Sequence, residues 1–409
     1  MLMAETGRTN PVRLAALVVI AAAVAIWTCV RVAREPSGFP LGDFVEYWSA
    51  AVVLSQGGNP YDGSELLAVQ REISDDPHHI QATMMWNPPW TFVIIAPLRL
   101  LPVAVAHMVW LAFQIAIVMV SASLLWKVYG GQSDRLWVAW ALAATFAPTV
   151  LLVYFGQISG ICLLGLAGFL FFRQRGQPAI AGAFAALTAL KPHLLFAFGI
   201  VLVLDGLTRQ GRWALASGTL TLVFAAVVEG VIHPDLYHQY ATAIGTAAST
   251  DVQKSVVDWK LPVVSYWLRV WLAPDQFWVQ FLPTLGASVW TIVYWFPRRD
   301  NWDWPTQTPR LVMVSVLAAA YGAWIFDLVV LLVPVVQAAV RVSGWGRVRR
   351  VAAFSLCFIL LNAATIFLPP HLVPIFDWNG LYYYIVFAPA VAVLYSLAVG
   401  FHPTVPTHA

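Results

Sequence analysis

The sequence predicts an all-α polytopic membrane protein, and three observations carry that prediction. Of its 409 residues, 60% are hydrophobic and only 11% charged, with a mean hydropathy of +0.73. A soluble domain carries about 25% charged residues, so this chain has too few to coat a surface facing water. Apolar segments recur along its whole length, about twelve of them long enough to span or half-span a bilayer. Lysine and arginine gather in the connections on one side of that series, as the positive-inside rule requires.

Taken in order, the apolar segments lie near 14–33, 103–126, 135–153, 158–172, 178–190, 192–205, 213–232, 276–296, 309–325, 328–340, 351–368 and 381–399. A cytoplasmic N-terminus puts Arg8, Arg13, Lys127, Arg135, Arg173, Arg175, Arg209, Arg212, Arg298, Arg299, Arg310, Arg341, Arg347, Arg349 and Arg350 inside. The opposite face keeps chiefly Arg31, Arg34, Arg71, Lys254, Lys260 and Arg269. The C-terminus, from Phe401, then returns to the cytoplasm, and the chain reads as one multi-pass domain over 1–409 in the plasma (inner) membrane. Arg31, Arg34 and Glu35 follow the first segment in place of a small-residue cleavage site, which predicts a retained signal-anchor. Many of the 20 tryptophans sit at segment ends, among them Trp86, Trp90, Trp126, Trp213, Trp302 and Trp304, where aromatic belts form. Cys29, Cys162 and Cys357 lie in apolar runs without disulfide or metal spacing and read as small buried hydrophobes.

Two places break the pattern alike. Lys191-Pro192 splits 178–190 from 192–205, and Asp327 splits 309–325 from 328–340. Each pair is expected to rise towards a cavity, turn at the charge and descend, with proline enforcing the first break. The long loops, 36–90 and 233–275, fall on the outer face. The first contains an expected amphipathic helix with Phe44, Trp48, Val52 and Ser55 on one face. After Trp86-Asn87-Pro88-Pro89-Trp90, the short stretch 91–100 is expected to lie in the interface rather than to span. No low-complexity tract, soluble domain or basic patch of the nucleic-acid-binding kind is present, and no nucleic-acid partner is expected.

The candidate functional residues cluster around these loops and breaks. Asp43 stands beyond the end of the first span, where a carboxylate is far less costly than at the bilayer centre. There it can serve as a base for a lipid-borne substrate, with Gly42 allowing close backbone approach; it can equally cap the following helix. Glu46, about one turn on, either faces the same cleft or is a solvated loop acid. Lys191 in its apolar surroundings needs a partner, either a phosphate head group or an internal acid such as Asp327. His193 can add a hydrogen bond to that phosphate or be structural. Asp327 either positions an acceptor or holds Lys191. Gln157, at an outer turn, can hydrogen-bond a sugar, and Tyr47 and Tyr61, with Tyr382 and Tyr383, suit sugar contacts or interface anchoring. His78-His79 with Asp75-Asp76 can be drawn as a metal site, but no regular ligand spacing supports it, and a solvated loop is preferred. The remaining outer candidates are His233, Asp235, Tyr237, His238, Asp258, His371, Asp377 and Tyr384.

In order and spacing these features resemble glycosyltransferase family 87, membrane enzymes of the GT-C superfamily that include polyprenol-phosphate-mannose-dependent mannosyltransferases. The resemblance rests on Asp43-Phe44 through Tyr47, Asn59-Pro60-Tyr61-Asp62, Pro88-Pro89 before Leu101-Pro102, Gly156-Gln157-Ile158, Ala181-Gly182 through Leu190-Lys191-Pro192, and Phe326-Asp327-Leu328. It covers about residues 40 to 335. It implies a GT-C-type bundle with an extracytoplasmic active site, and inverting transfer of a hexose, mannose first, from a polyprenyl-phosphate donor to a lipid or glycan acceptor. Asp43 matches the general base and Lys191 the lysine near the lipid phosphate. Many GT-C enzymes carry two adjacent acids in the first loop, often with a metal; here Asp43 stands alone with Glu46 further along, so no cofactor is expected. Broken helices with charges in corresponding positions also suit a secondary transporter or lipid flippase. The lopsided distribution of long outer loops with acids and aromatics argues for the enzyme.

Overall fold

A computed structural model of the chain describes residues 41–73, 81–249, 261, 263–344, 348–367 and 385–400. The expected first span with its signal-anchor flank, Asp75, Asp76, His78, His79, Lys254, Asp258, Lys260, His371, Asp377 and Tyr382 to Tyr384 lie outside the described residues. Among the described residues there are seventeen α-helices and no strands.

The first outer loop supplies α1 (Phe44–Ser55) and α2 (Gly63–Ile73). α1 does not have the solvated flank expected of an amphipathic helix. Phe44, Glu46, Tyr47, Ala50, Val53 and Leu54 are all buried, because α2, the 89–100 segment and the following long helix enclose it. The turn before α2 is made by its polar residues: the Asn59 side-chain oxygen accepts from the Tyr61 N–H at 3.0 Å, and Asp62 accepts from the Ser64 and Glu65 N–H groups at 2.8 and 3.1 Å. The 89–100 stretch is a 3-10 turn, the short α3 (Phe92–Ile95) and a second 3-10 turn containing Pro97. It is too short and broken to span, as the sequence predicts.

α4 (Val103–Val128) is a full apolar span. The stretch 135–153, expected as one span, is instead the bent pair α5 (Leu136–Thr145) and α6 (Ala147–Phe155), with a 57° angle between its two parts. Pro148 explains the break: its ring clashes with the carbonyl four residues back and it brings no N–H. The Ala147 N–H released at the bend donates to the Asn362 side chain at 2.6 Å.

The core is built around α7 (Ser159–Gln174), which packs against α4, α8 (Pro178–Ala186) and the later helices. After α8 the chain passes through two 3-10 turns that meet at Lys191, with Pro192 opening the second, before α9 (Phe196–Asp205) descends. α10 (Arg209–Ile232) is a long helix with mostly unburied faces, followed by α11 (Leu236–Ser249), α12 (Val264–Leu272) and α13 (Leu282–Trp295). The expected span 276–296 thus begins with a 3-10 turn, Phe277–Phe281, at whose end Pro283 allows a helix to start. α14 (Trp304–Leu317) is capped by Asp303 and stops well short of the expected 325. Gly322 and Ala323 hold φ +63° and +51°, left-handed values with which a right-handed helix cannot continue. A 3-10 turn, Asp327–Leu331, leads into α15 (Leu332–Ser343), and α16 (Val348–Phe367) and α17 (Phe387–Val399) complete the described chain. Residues 103–128, 211–232 and 348–367 are long and apolar enough to cross a membrane singly, and the bent pair makes a fourth.

Candidate active site

Two glycines bring the first outer loop onto the α6–α7 turn. Gly42 (φ +56°) and Gly156 (φ +68°) take left-handed backbone, and each lies where a side chain would collide with the other segment. A Cβ on Gly42 would come within 2.7 Å of the Phe155 carbonyl oxygen, and one on Gly156 within 2.7 Å of the Phe44 Cβ. The crossing is held by the Asp43 N–H donating to Phe155 O at 2.7 Å and by the Trp110 indole N–H donating to Gly156 O at 2.6 Å. Asp43 and Gln157 therefore face each other although 114 residues separate them.

From this crossing a polar network runs through the core. The Gln157 carboxamide donates from Nε2 to Asp43 Oδ2 at 2.7 Å. Its Oε1 accepts from the Tyr47 hydroxyl and from Lys191 Nζ, both at 2.9 Å. Lys191 also pairs with Asp327 Oδ1 at 2.6 Å, an oxygen that further accepts from the Ser159 hydroxyl. Asp327 Oδ2 accepts from the Trp324 N–H at 3.1 Å. Asp327 is 1% exposed and Lys191 9%, so this charge pair is inside the protein, where the lysine also stands 5.4 Å from the centre of the Phe326 ring.

The acids outnumber the cation. Asp43, Glu46 and Asp327 all act on one another and on Lys191. Burial lifts the Asp43 carboxyl above its ordinary value, opposed by the Gln157 hydrogen bond and the Lys191 charge. Burial first, and the Asp43 charge second, push Glu46 well above the usual carboxyl range. Glu46 is 7% exposed, which corrects the expectation of a solvated loop acid. The capping alternative for Asp43 also fails: its side chain makes no cap hydrogen bond to α1 and turns to Gln157.

Five expected residues thus meet in one network: Asp43, Tyr47, Gln157, Lys191 and Asp327, with Glu46 beside them. His193 stands near it, exposed and against Gly322. Tyr61 does not join. It is buried against Phe92 and Tyr240, and its hydroxyl donates to Asn87 O at 3.0 Å. Asn87 and Trp90 in turn donate to Leu190 O and Ala189 O, both at 3.1 Å, which ties the first loop to the break at Lys191. Sequence reasoning missed Ser159, whose only signal was a hydroxyl at the start of an apolar run, and the Trp324 backbone, which has no signal in sequence. Among the described residues no group of three or more His, Cys, Asp or Glu side chains is arranged to hold a metal ion.

A half-buried carboxylate joined through one amide to a buried lysine can take a proton beside a site for an anion. The glycosyltransferase family 87 model matches residues 86–306, more than half of the chain. The chain belongs to glycosyltransferase family 87. As a family 87 protein it is a glycosyltransferase, moving a sugar from a donor to an acceptor, and this weighs against the transporter and flippase reading. The matched stretch contains Gln157, Lys191 and His193; folding brings Asp43, Glu46, Tyr47 and Asp327 to it from either side. No curated protein and no solved structure matches the chain.

Proposed function

We propose that this protein is an inverting hexosyltransferase of GT-C type that takes its sugar, mannose first, from a polyprenyl-phosphate donor on the extracytoplasmic face of the plasma membrane. About twelve spanning or half-spanning segments would place both termini in the cytoplasm. Asp43 takes the proton from an acceptor hydroxyl, whose oxygen bonds to the anomeric carbon as the bond to the donor phosphate breaks. The phosphate leaves with the bonding electrons, and one displacement inverts the centre. Lys191, aided by His193, receives the phosphate charge, a task suited to a compact ammonium. Glu46 and Tyr47 line the acceptor side. Gln157 holds Asp43 and Lys191 at a fixed separation, and Asp327 keeps Lys191 charged and aimed. No metal is assigned to the step.

The observation that carries this reading is the Gln157 carboxamide, which binds a carboxylate through its nitrogen and a lysine through its oxygen. A base and a cation so joined suit removal of a proton and stabilisation of a leaving anion in one step. The test is sugar transfer in proteoliposomes supplied with radiolabelled polyprenyl-phosphate mannose or with GDP-mannose, and a membrane glycolipid extract as acceptor. Label should enter glycolipid from the lipid-linked donor alone. Incorporation from GDP-mannose in liposomes free of polyprenyl phosphate would overturn the lipid-donor assignment.

A further inference from the structure

Away from the Asp43 network, a cleft of about 300 Å³ lies between the 92–100 segment and the C-terminal end of α10. Its walls are apolar, with Phe92, Pro97, Leu100 and Val228 among them, and two charged residues complete it: Arg99 and Glu229. Glu229 is 5% exposed. No described residue hydrogen-bonds or ion-pairs with its carboxylate. It sits three residues from the end of a helix long and apolar enough to cross a membrane, most of whose surface is unburied. An ionisable group in such a helix needs a partner, and here the protein supplies none. Arg99, in the 3-10 turn Ala96–Leu100, is exposed and likewise has no ion-pair partner among the described residues.

We infer that this cleft binds the sugar head of a neutral glycolipid, and, on the reading proposed above, that this is where the acceptor is held. The chemistry of the cleft selects a polyol. A buried carboxylate without donors is satisfied by two neighbouring hydroxyls, and a guanidinium donates to hydroxyl and ring oxygens. One negative and one positive group leave the cleft without net charge, which suits a neutral head better than an anionic one. The apolar walls match the C–H face of a pyranose and the start of an alkyl chain, and the volume falls at the lower end of small-ligand sites. The cleft is also tied to the Asp43 network. Tyr61, which senses the Glu229 charge, donates to Asn87 O at 3.0 Å, and Asn87 donates to Leu190 O, next to Lys191, at 3.1 Å.

The experiment uses full-length protein in phosphatidylcholine nanodiscs and radiolabelled octyl α-D-mannopyranoside as the probe, with unlabelled octanol and phosphatidylethanolamine as competitors. Wild type should bind the mannoside saturably, octanol should not displace it, and Glu229→Gln and Arg99→Gln should each weaken binding by about tenfold or more, the loss of a charged hydrogen bond. Asp43→Asn, which lies outside the cleft, should bind it as wild type does. Equal affinity in Glu229→Gln, or displacement by octanol, would overturn the inference. Displacement by phosphatidylethanolamine instead of by mannoside would overturn it in favour of a zwitterionic lipid. Transfer assays separate this from the proposed reaction. Glu229-dependent binding without transfer from polyprenyl-phosphate mannose keeps the saccharide cleft and removes its role as an acceptor site. Transfer with an acceptor KM unmoved by Glu229→Gln removes the cleft and leaves the reaction standing.

Discussion

Two buried ion pairs stand at opposite ends of α7, and only one of them is closed. Near the C-terminal end, Arg173 pairs with Asp205 at 3.0 Å. The Trp304 indole N–H and the Thr208 hydroxyl donate to the same carboxylate at 3.1 and 3.2 Å. One cation meets one anion, and neutral donors take the remaining lone pairs. At the N-terminal end, roughly 20 Å away along the helix, Lys191 and Asp327 pair at 2.6 Å, but the lysine must also answer Asp43 through Gln157, with Glu46 close by. The first arrangement is a clasp that fastens α7, α9 and α14. The second carries surplus acid inside the protein, which is unfavourable for stability and useful only for chemistry. Charge balance, more than burial or bond length, distinguishes the site from the clasp.

That distinction makes graded predictions. Lys191→Met strips the only cation from three acids, so it should have the largest effect: transfer falls at least about a hundredfold, and stability drops by about 3–5 kcal/mol. Measured together by lipid-donor transfer and thermal unfolding in detergent, an active Lys191→Met would break the comparison. Asp205→Asn opens the clasp and should lower stability by about 3 kcal/mol, while the pH profile of whatever transfer remains keeps its wild-type shape. A displaced pH profile would show that the clasp takes part in the chemistry.

Gln157→Ala should be milder, about tenfold in kcat. Asp43 must be ionised to act as base, so activity is present above its pKa and lost as pH falls through it. Removing the Gln157 donor takes away a contribution that lowers that value, and the acidic limb of kcat should move to higher pH. A rise in KM with an unmoved limb would make Gln157 a sugar contact. Glu46→Gln should have the smallest effect. The Glu46 pKa is raised by burial and by Asp43, so its contribution to stability is complete below the ordinary glutamate range and is lost as pH rises through the native value. The amide cannot ionise, and the variant should keep its Tm at alkaline pH where wild type declines, by about 1 kcal/mol for each unit of the shift. Parallel Tm curves would show Glu46 to be ionised throughout.

Most of the site was legible in the sequence because its members are expensive residues in cheap surroundings. Lys191 and Asp327 interrupt apolar runs, and Asp43 and Gln157 flank glycines that permit two chain segments to cross. Hydropathy identifies such residues but not the distances between them, so whether Lys191 meets Asp327 had to come from the fold. The all-helical class was equally plain from apolar content. Helix ends were less so: the bend before Ala147 and the stop at Leu317 depend on Pro148 and on left-handed backbone at 322–323, which periodicity does not register. Tyr61 misled because an aromatic suits a sugar and a core alike, and Glu229 passed unnoticed because a single acid near a helix end resembles an interface residue.

The most direct measurement compares wild type with Asp43→Asn in proteoliposomes, following mannose transfer from radiolabelled polyprenyl-phosphate mannose to glycolipid while Tm and donor binding are checked on the same preparations. The amide preserves shape and can still accept one hydrogen bond, but it cannot take a proton. Transfer should fall by about a hundredfold to ten-thousandfold, with Tm and donor affinity held. A folded, donor-binding Asp43→Asn that transfers at the wild-type rate would contradict the assignment of Asp43 as the base.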